Sequence, residues 1–549
     1  MTHVKDKTIE QVSGSPHGTP ERGRPLAGGF VGLAAGGVAL GAAQLVAGMV
    51  GGASSPMIAV GGAAIDATPE WLKSFAIRRF GSADKLALLV GIGAILAIAA
   101  AVIGVFAVRR PWLGLFGIGA FGVIGIAASV TRPTNGLRAA IPSILGAAAG
   151  IFAYVGLRRA AGLRPVTWFR PSGWTPLGRS QSPTPDRRSG GPPPGFDRRR
   201  FLWAGAVAAG VAAVSGVAGQ YLVRRASASA SRAAVRLPKP ADAAPPAPPG
   251  ADLRIPGLSS FVTPNGEFYR VDTALFVPAV DAANWKLRIH GMVDREITID
   301  YAQLLARPLI ERDVTLTCVS NQVGGHYIGN ARWLGARLKD LIVEAGVHPG
   351  ASQIVSRSSD GFTVGTPTEA VMDGRDAMLA VGMNGEPLPL SHGFPVRMVV
   401  PGLYGYVSAT KWVVDIELTT FAAYDAYWIN RGWSQQAPIK TESRIDTPDS
   451  GSQLRAGRVP LAGVAWAQHR GIAKVEVRAD EGPWIPAELA AEDTIDTWRQ
   501  WVYRWEAVPG DHVLSVRATD DTGATQTPNV SAPGPNGATG DHTIEVSVS

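Results

Sequence analysis

The 549-residue sequence holds one cysteine, Cys318, and nine histidines. Cys318 ends the run 313–318 (DVTLTC), and a Gly-containing loop, 319–325 (VSNQVGG), follows it. A lone cysteine is most often a small buried hydrophobe. One placed where a strand opens into a loop can reach a ligand, and as a thiolate it serves as nucleophile or metal ligand. Hydrolysis through a thiolate needs a base. His326 and His392 are the candidates, and no spacing specifies either. Downstream, His392 and Arg397 lie in 391–397 (SHGFPVR) and Lys411 heads 411–413 (KWV). Arg offers phosphate a planar fork and Lys a point charge. His392 also reads as a turn residue and Lys411 as a strand-edge charge. Arg397 sits inside an apolar strand, where a guanidinium needs a partner. The single thiol excludes a Cys-rich zinc site, an iron–sulfur cluster, attached c-type haem and an internal disulfide.

The elements around these residues alternate short strands with a few helices. Residues 285–290 (WKLRIH) alternate at period two and read as a strand. Asp300 opens a short helix as its N-cap. Residues 333–345 contain an amphipathic helix, and 396–401 (VRMVVP) and 411–418 (KWVVDIEL) are strands. This mixture predicts an α+β domain. From about 455 the pattern is all-β, with 479–484 (ADEGPW) as a hairpin-like break, and predicts an immunoglobulin-like sandwich.

The first 225 residues differ. Charged residues are only 17% of the chain, and long uncharged runs occupy 26–50, 86–108, 112–130, 139–157 and 201–223. About 20 apolar residues cross a bilayer core, so five spans are expected. No histidine lies between His17 and His290, so these spans cannot supply paired ligands to a b-type haem. Lys5, Lys7, Arg22, Arg24, Arg109, Arg110 and the arginines of 158–200 fall on one side, which the positive-inside rule assigns to the cytoplasm. Lys73, Arg78, Arg79 and Lys85 dissent from the 51–85 loop, which has room for a surface helix. The net charge of +8 therefore sets topology, and a nucleic-acid role is the weaker reading of 158–200, which lacks an aromatic stacking platform. Residues 198–202 (RRRFL) resemble the twin-arginine export signal, which implies export of a folded, cofactor-loaded domain. The Pro-rich stretch that follows predicts a stiff spacer holding the next domain off the bilayer.

Together TLTCVSN, GNARWLGARLKDLI, MNGEPLPLSHGFPVRMVVPG and KWV, with TPNGEFYRVDTALFVP upstream, resemble the sulfite oxidase family of molybdopterin enzymes over about 255–549. The resemblance implies a Mo-molybdopterin cofactor, one pterin dithiolene per molybdenum, with Cys318 as metal ligand. It makes His392, Arg397 and Lys411 cofactor-binding, with Asp272, Thr273, Asn321, Asp360 and Thr410 beside them. Trp333 and Trp433 fall at the catalytic pocket, the latter where the family has a Tyr, and Arg270 and Arg431 are candidate substrate cations. The sulfite enzymes read Cys-Ala-Gly-Asn-Arg-Arg at the thiolate; here Gln322 and Val323 replace both arginines, so the substrate need not be a dianion.

The expected architecture is multidomain: a transmembrane α-helical bundle, an α+β molybdopterin-binding domain and an all-β sandwich. Its parts are a cytoplasmic tail (1–25), four spans (26–157), a basic linker (158–200), a fifth span (201–223), a Pro/Ala linker (224–256), a catalytic domain (257–445) and a dimerisation domain (446–549). The expected function is oxygen-atom transfer outside the cytoplasm by a multi-pass membrane protein. Expected partners are a small-molecule substrate, a separate electron-transfer partner, membrane lipid and a second copy in a homodimer, with no nucleic acid and no haem in this chain. S- or N-oxide reduction, a Cys-dependent hydrolase and a non-enzymatic binding module are the competing readings.

Overall fold

The computed structural model describes residues 23–50, 55–69, 84–131, 137–163, 198–225, 228–274 and 276–549. The tail up to residue 22 and the basic stretch 164–197 lie outside the described residues. Among the described residues, four helices are long and apolar enough to cross a membrane: Arg24–Val50, Val90–Ala107, Trp112–Val130 and Leu137–Ala160. The fifth expected span differs. It is a helix, Arg198–Arg225, whose apolar stretch, Leu202–Gly216, falls short of the other four. Gly and Ala let the helices approach closely, as packing in lipid requires. A methyl group on Gly32 would lie 2.1 Å from the Ala100 carbonyl oxygen. Gln44, a strong amide in the first of the apolar runs, accepts from the Ser55 hydroxyl at 2.6 Å. In the 51–85 loop, Pro56–Ala67 is helical.

The remaining described residues are β-rich, in four sheets. In chain order the strands are β1 (Lys286–Gly291), β2 (Ile297–Asp300), β3 (Leu309–Thr317), β4 (Ile328–Arg337), β5 (Gln353–Ser358), β6 (Thr363–Pro367), β7 (Met378–Met383), β8 (Glu386–Pro387), β9 (Arg397–Val399) and β10 (Val413–Thr419). Then come β11 (Glu442–Thr447), β12 (Gln453–Leu454), β13 (Gly457–Trp466), β14 (Ile472–Ala479), β15 (Ile485–Pro486), β16 (Glu488–Leu489), β17 (Arg499–Ala507), β18 (Gly510–Asp520) and β19 (His542–Val548). One sheet runs β2-β1-β10-β5-β6, and a second runs β3-β4-β7-β8 with β9 on β7. These two share one buried core with the helix Leu338–Ala345, whose Leu338, Leu341 and Ile342 face inward at helical spacing. Asp300 caps Tyr301–Leu305 in a reciprocal capping box with Gln303.

The last two sheets, β11-β13-β17-β16 and β12-β19-β18-β14-β15, enclose a second core around Trp501, Val475, Leu514 and Ile544. The boundary expected at 445/446 cuts β11, because that strand pairs with β13 and opens the C-terminal sheet at Glu442. The Pro-rich segment is not a free spacer over its described length. Ala241 and Asp242 donate backbone bonds to Leu309 O, and the Asp242 carboxylate meets Arg312 and Arg337 at 2.6 and 2.7 Å.

Candidate active site

Strand β3 is buried from Val314 onward, and Cys318 follows directly at its end. The next residues turn back on themselves. Cys318 N donates to Tyr327 O, Asn321 N to Cys318 O, and Tyr327 N to the Asn321 side-chain oxygen at 2.8 Å. Gly324 supplies the turn's left-handed conformation, with φ 73°. The C-terminal sheets brace this loop: Arg444 donates to Gly325 O at 2.7 Å, and Gln468 Nε2 donates to Thr315 O and the Thr317 hydroxyl. Cys318 is 8% exposed. Burial pushes its thiol pKa up, while the backbone and hydroxyl of Ser320 and the charge of Lys411 act the other way.

A second group gathers nearby. Arg397 is buried, its guanidinium 4.8 Å from the Trp333 ring centroid, donating to His392 O and Met398 O. Lys411 is buried, with Nζ 3.0 Å from Asp272 and 3.2 Å from Ser391 O. Asp272 is also held by Arg270 at 2.8 Å. His392 is buried with Nε2 3.2 Å from Asn265 O, and its Nδ1 has no partner. Burial pushes Arg397 down to about 10 and Lys411 to about 8. His392 is held at about 3 by burial and by the charges of Arg397 and Lys411. Asp272 is the carboxylate paired within this group, so the cluster carries a buried excess of positive charge.

The sequence-predicted residues thus separate. Arg270, Asp272, His392, Arg397 and Lys411 come together, and Thr273 is half-buried in the chain beside Asp272. Asp360 sits in the β5–β6 turn and accepts from Phe362 N; the turn reaches the cluster through Ser359 N, which donates to Trp412 O. Trp412 has φ 52°, a strained conformation for a side-chain-bearing residue that marks the cluster's edge. Thr410, next to Lys411, is buried, and its hydroxyl bonds Ser356 at 2.6 Å. Trp333 was expected in the catalytic pocket. It is fully buried with Nε1 donating to Val314 O, so it supports Arg397 from below.

Gly405 carries the site's other wall; a methyl there would lie 3.7 Å from Thr317 O and 3.8 Å from the Tyr269 hydroxyl. Its neighbour Tyr406 packs on Trp433 (5.8 Å), and Trp433 on Trp428 (6.0 Å). Arg431 stacks on Tyr427 at 3.6 Å and donates to the Tyr427 carbonyl. Sequence reasoning missed Tyr269, whose hydroxyl pKa is pushed up by burial, with Cys318 close enough to add to the shift, and Tyr406. Tyr269 lies in a quoted motif beside Arg270, which was the available signal.

The donor set can be tested against the implied cofactor. Among the described residues no three His, Cys, Asp or Glu side chains cluster as metal ligands. A metal at Cys318 must therefore draw its other ligands from a group that brings its own donors, as a pterin dithiolene does. The buried cations with one shared carboxylate fit that group's phosphate, and Nδ1 of His392 is open to it. His392 Nε2 lies against Asn265 O, and the groups acting on the Cys318 thiol are Ser320 and Lys411, neither of them a histidine base.

Comparison with known proteins gives the same answer. The oxidoreductase molybdopterin-binding domain family matches residues 274–428. An uncharacterized oxidoreductase, YuiH, of Bacillus subtilis is 31% identical over 153 residues, 28% of this chain and 74% of that protein. The chain belongs to the sulfite oxidase family of molybdopterin-dependent oxidoreductases. Mitochondrial sulfite oxidase of Rattus norvegicus is 29% identical over 312 residues, 48% of this chain and 57% of the rat protein. The chain thus spans a little over half the length of that relative. Among solved structures, the sulfane dehydrogenase SoxCD of Paracoccus pantotrophus aligns with a TM-score of 0.47 at 23% identity, covering 52% of this chain and 81% of its own. As a sulfite oxidase family member the chain is an oxidoreductase with an implied Mo-pterin cofactor, and the reading as a non-enzymatic binding module falls away.

Proposed function

We propose that the protein is a membrane-anchored oxidoreductase that moves an oxygen atom to or from a small substrate outside the cytoplasm. The observation that carries this is the pairing of Cys318 with a buried cation cluster that has one shared carboxylate. Cys318 ligates the metal; His392, Arg397 and Lys411 hold the phosphate; Asp272 and Arg270 orient Lys411. Asn321 locks the Cys318 loop, and Asp360 borders the pterin. When bound, the pterin–molybdenum group supplies two-electron oxygen-atom transfer. This chain's residues fix that group, exclude water from its phosphate and line the approach to it.

Reduction of an S- or N-oxide is the second reading, favoured by the substrate side. Gln322 and Val323 stand where the sulfite enzymes have arginines, and Tyr406, Trp428 and Trp433 form an aromatic wall. A dianion needs cationic donors there. We further propose that the apolar helices anchor the chain with 158–200 in the cytoplasm. In this reading the RRRFL stretch is a twin-arginine signal, the C-terminal sheets are an immunoglobulin-like homodimerisation sandwich, and a separate protein exchanges the electrons. The test is molybdenum and pterin analysis of the matured full chain. Turnover of sulfite, sulfoxides and N-oxides with artificial electron donors and acceptors follows. Stoichiometric metal and pterin support the proposal; absence of both refutes it.

A further inference from the structure

The helix Ala228–Ala234 follows the apolar helix Arg198–Arg225 after two residues. Its sequence, ASASRAA, has almost no apolar surface to bury, and Ala228 is its one buried residue. A seven-residue Ala/Ser helix has little stability of its own. Its docking therefore depends on specific bonds, and Arg232 supplies most of them. Nε donates to Pro387 O and Leu388 O, and Nη2 reaches Pro387 O and the Glu386 carboxylate, both at 2.7 Å. Ser231 adds one more by accepting from Ala282 N.

From Arg232 a continuous path leads to the cofactor cations. The other Glu386 oxygen accepts from Asn265 Nδ2 at 2.7 Å, and Asn265 O lies 3.2 Å from His392 Nε2. Between the helix and the 390–392 turn is a cavity of about 400 Å³, lined by Ser229, Arg232, Asn265, Glu386, Leu390 and Ser391. The far side of that turn faces the cluster. Leu390 O accepts from the Trp412 indole and Ser391 O from Lys411. One peptide segment thus separates the cavity from the phosphate-binding groups.

We infer that Arg232 is a positioning residue for the cofactor's phosphate anchor, and that Ala228–Ala234 is a clasp closing the phosphate end of the site. The inference rests on the reading that His392, Arg397 and Lys411 hold that phosphate. The clasp holds Glu386, Glu386 holds Asn265, and Asn265 sets the His392 ring. The Arg232–Glu386 pair is partly exposed, with side chains 28% and 52% accessible. Such a pair is weak alone, so the clasp opens for loading and closes behind the cofactor. The segment leaving the membrane-proximal helix then does two jobs, tethering the domain and retaining its cofactor.

The test uses the loaded full chain in detergent and follows release of pterin, read by its fluorescence after oxidation, well below the thermal midpoint. Arg232→Ala should speed release by about tenfold with the midpoint unchanged. Arg232→Lys, which keeps the ion pair and loses the carbonyl contacts, should fall between. Proteolysis within 228–240 should accelerate in parallel. Release from Arg232→Ala at the wild-type rate overturns the clasp. If Arg232→Ala does not accumulate, Arg232→Lys and Glu386→Gln carry the same comparison. His392→Ala separates the two readings. If it also releases at the wild-type rate, the phosphate site is misassigned; if it alone releases quickly, only the clasp is wrong.

Discussion

Lys411 gives the sharpest test of the cation cluster, through the pH dependence of stability. Its ordinary pKa of 10.5 falls to about 8 in the folded chain, because burial outweighs the attraction of Asp272. The sign follows from proton counting. Between about pH 8 and 10.5 the unfolded chain keeps the lysine proton and the folded chain has lost it. Stability therefore rises with pH through this window. Below pH 8 the folded chain bears the full penalty of a buried charge. With those two pKa values, the lysine should contribute about 1 kcal/mol of added stability between pH 7 and pH 9. For a region of this size that is about 2 °C in thermal midpoint. The assay is thermal unfolding, followed by tryptophan fluorescence, of full-length protein made in a host without molybdopterin. Wild type is compared with Lys411→Met at pH 7, 8 and 9, and the difference between their slopes isolates the lysine. In the loaded protein the phosphate keeps Lys411 charged, and the difference should vanish. Equal slopes for wild type and Lys411→Met in the cofactor-free protein would refute the reasoning.

Three other outcomes are expected. Cys318→Ala should lower turnover of the preferred substrate by well over about tenfold and remove one sulfur from the metal's X-ray absorption shell; a smaller loss with the shell intact argues against ligation. Gln322→Arg with Val323→Arg should lower KM for sulfite by about tenfold, since one charge-assisted hydrogen bond contributes about 1.5–3 kcal/mol; an unchanged KM places the substrate elsewhere. Asp313→Ala should destabilise the catalytic region by about 3 kcal/mol, because it removes the carboxylate that pairs with Arg332 of strand β4 at 2.5 Å and leaves that guanidinium with the Pro245 carbonyl and a 4.0 Å contact with Glu311. The value lies at the low end for buried pairs since Arg332 is a quarter exposed. Thermal midpoints of wild type and variant measure it.

What could be read in the sequence was local. Period-two alternation located β1, and Asp300 announced its helix, because these depend on neighbours within a few residues. Cys318 at a strand end was legible for the same reason. The grouping of Arg270 and Asp272 with Lys411 was not, since 139 residues separate Asp272 from Lys411 and only the fold closes that distance. The aromatic partners of Trp433 were hidden likewise. The Pro-rich segment misled because composition specifies stiffness and says nothing of docking. Asp242 finds two arginines on β3 and β4, a complementarity invisible along the chain.

The placement of Cys318 also explains why the C-terminal sheets belong to the site. Strand β3 is an edge strand of its sheet, paired on one side with β4. An edge strand leaves backbone groups open along its other side. Here residues of the C-terminal half take up that side: Thr315 N donates to Asp496 O, Thr315 O accepts from Gln468, and the Thr315 hydroxyl accepts from Trp498 N. Two residues further on, Gln468 also holds the Thr317 hydroxyl, and Cys318 follows immediately. The thiol's position is therefore fixed from both halves of the catalytic region. A reactive atom held by two rigid bodies is placed more tightly than one on a free loop. Separating the C-terminal sheets from the α+β region would loosen the thiol itself, although no residue of those sheets lies among the cofactor cations.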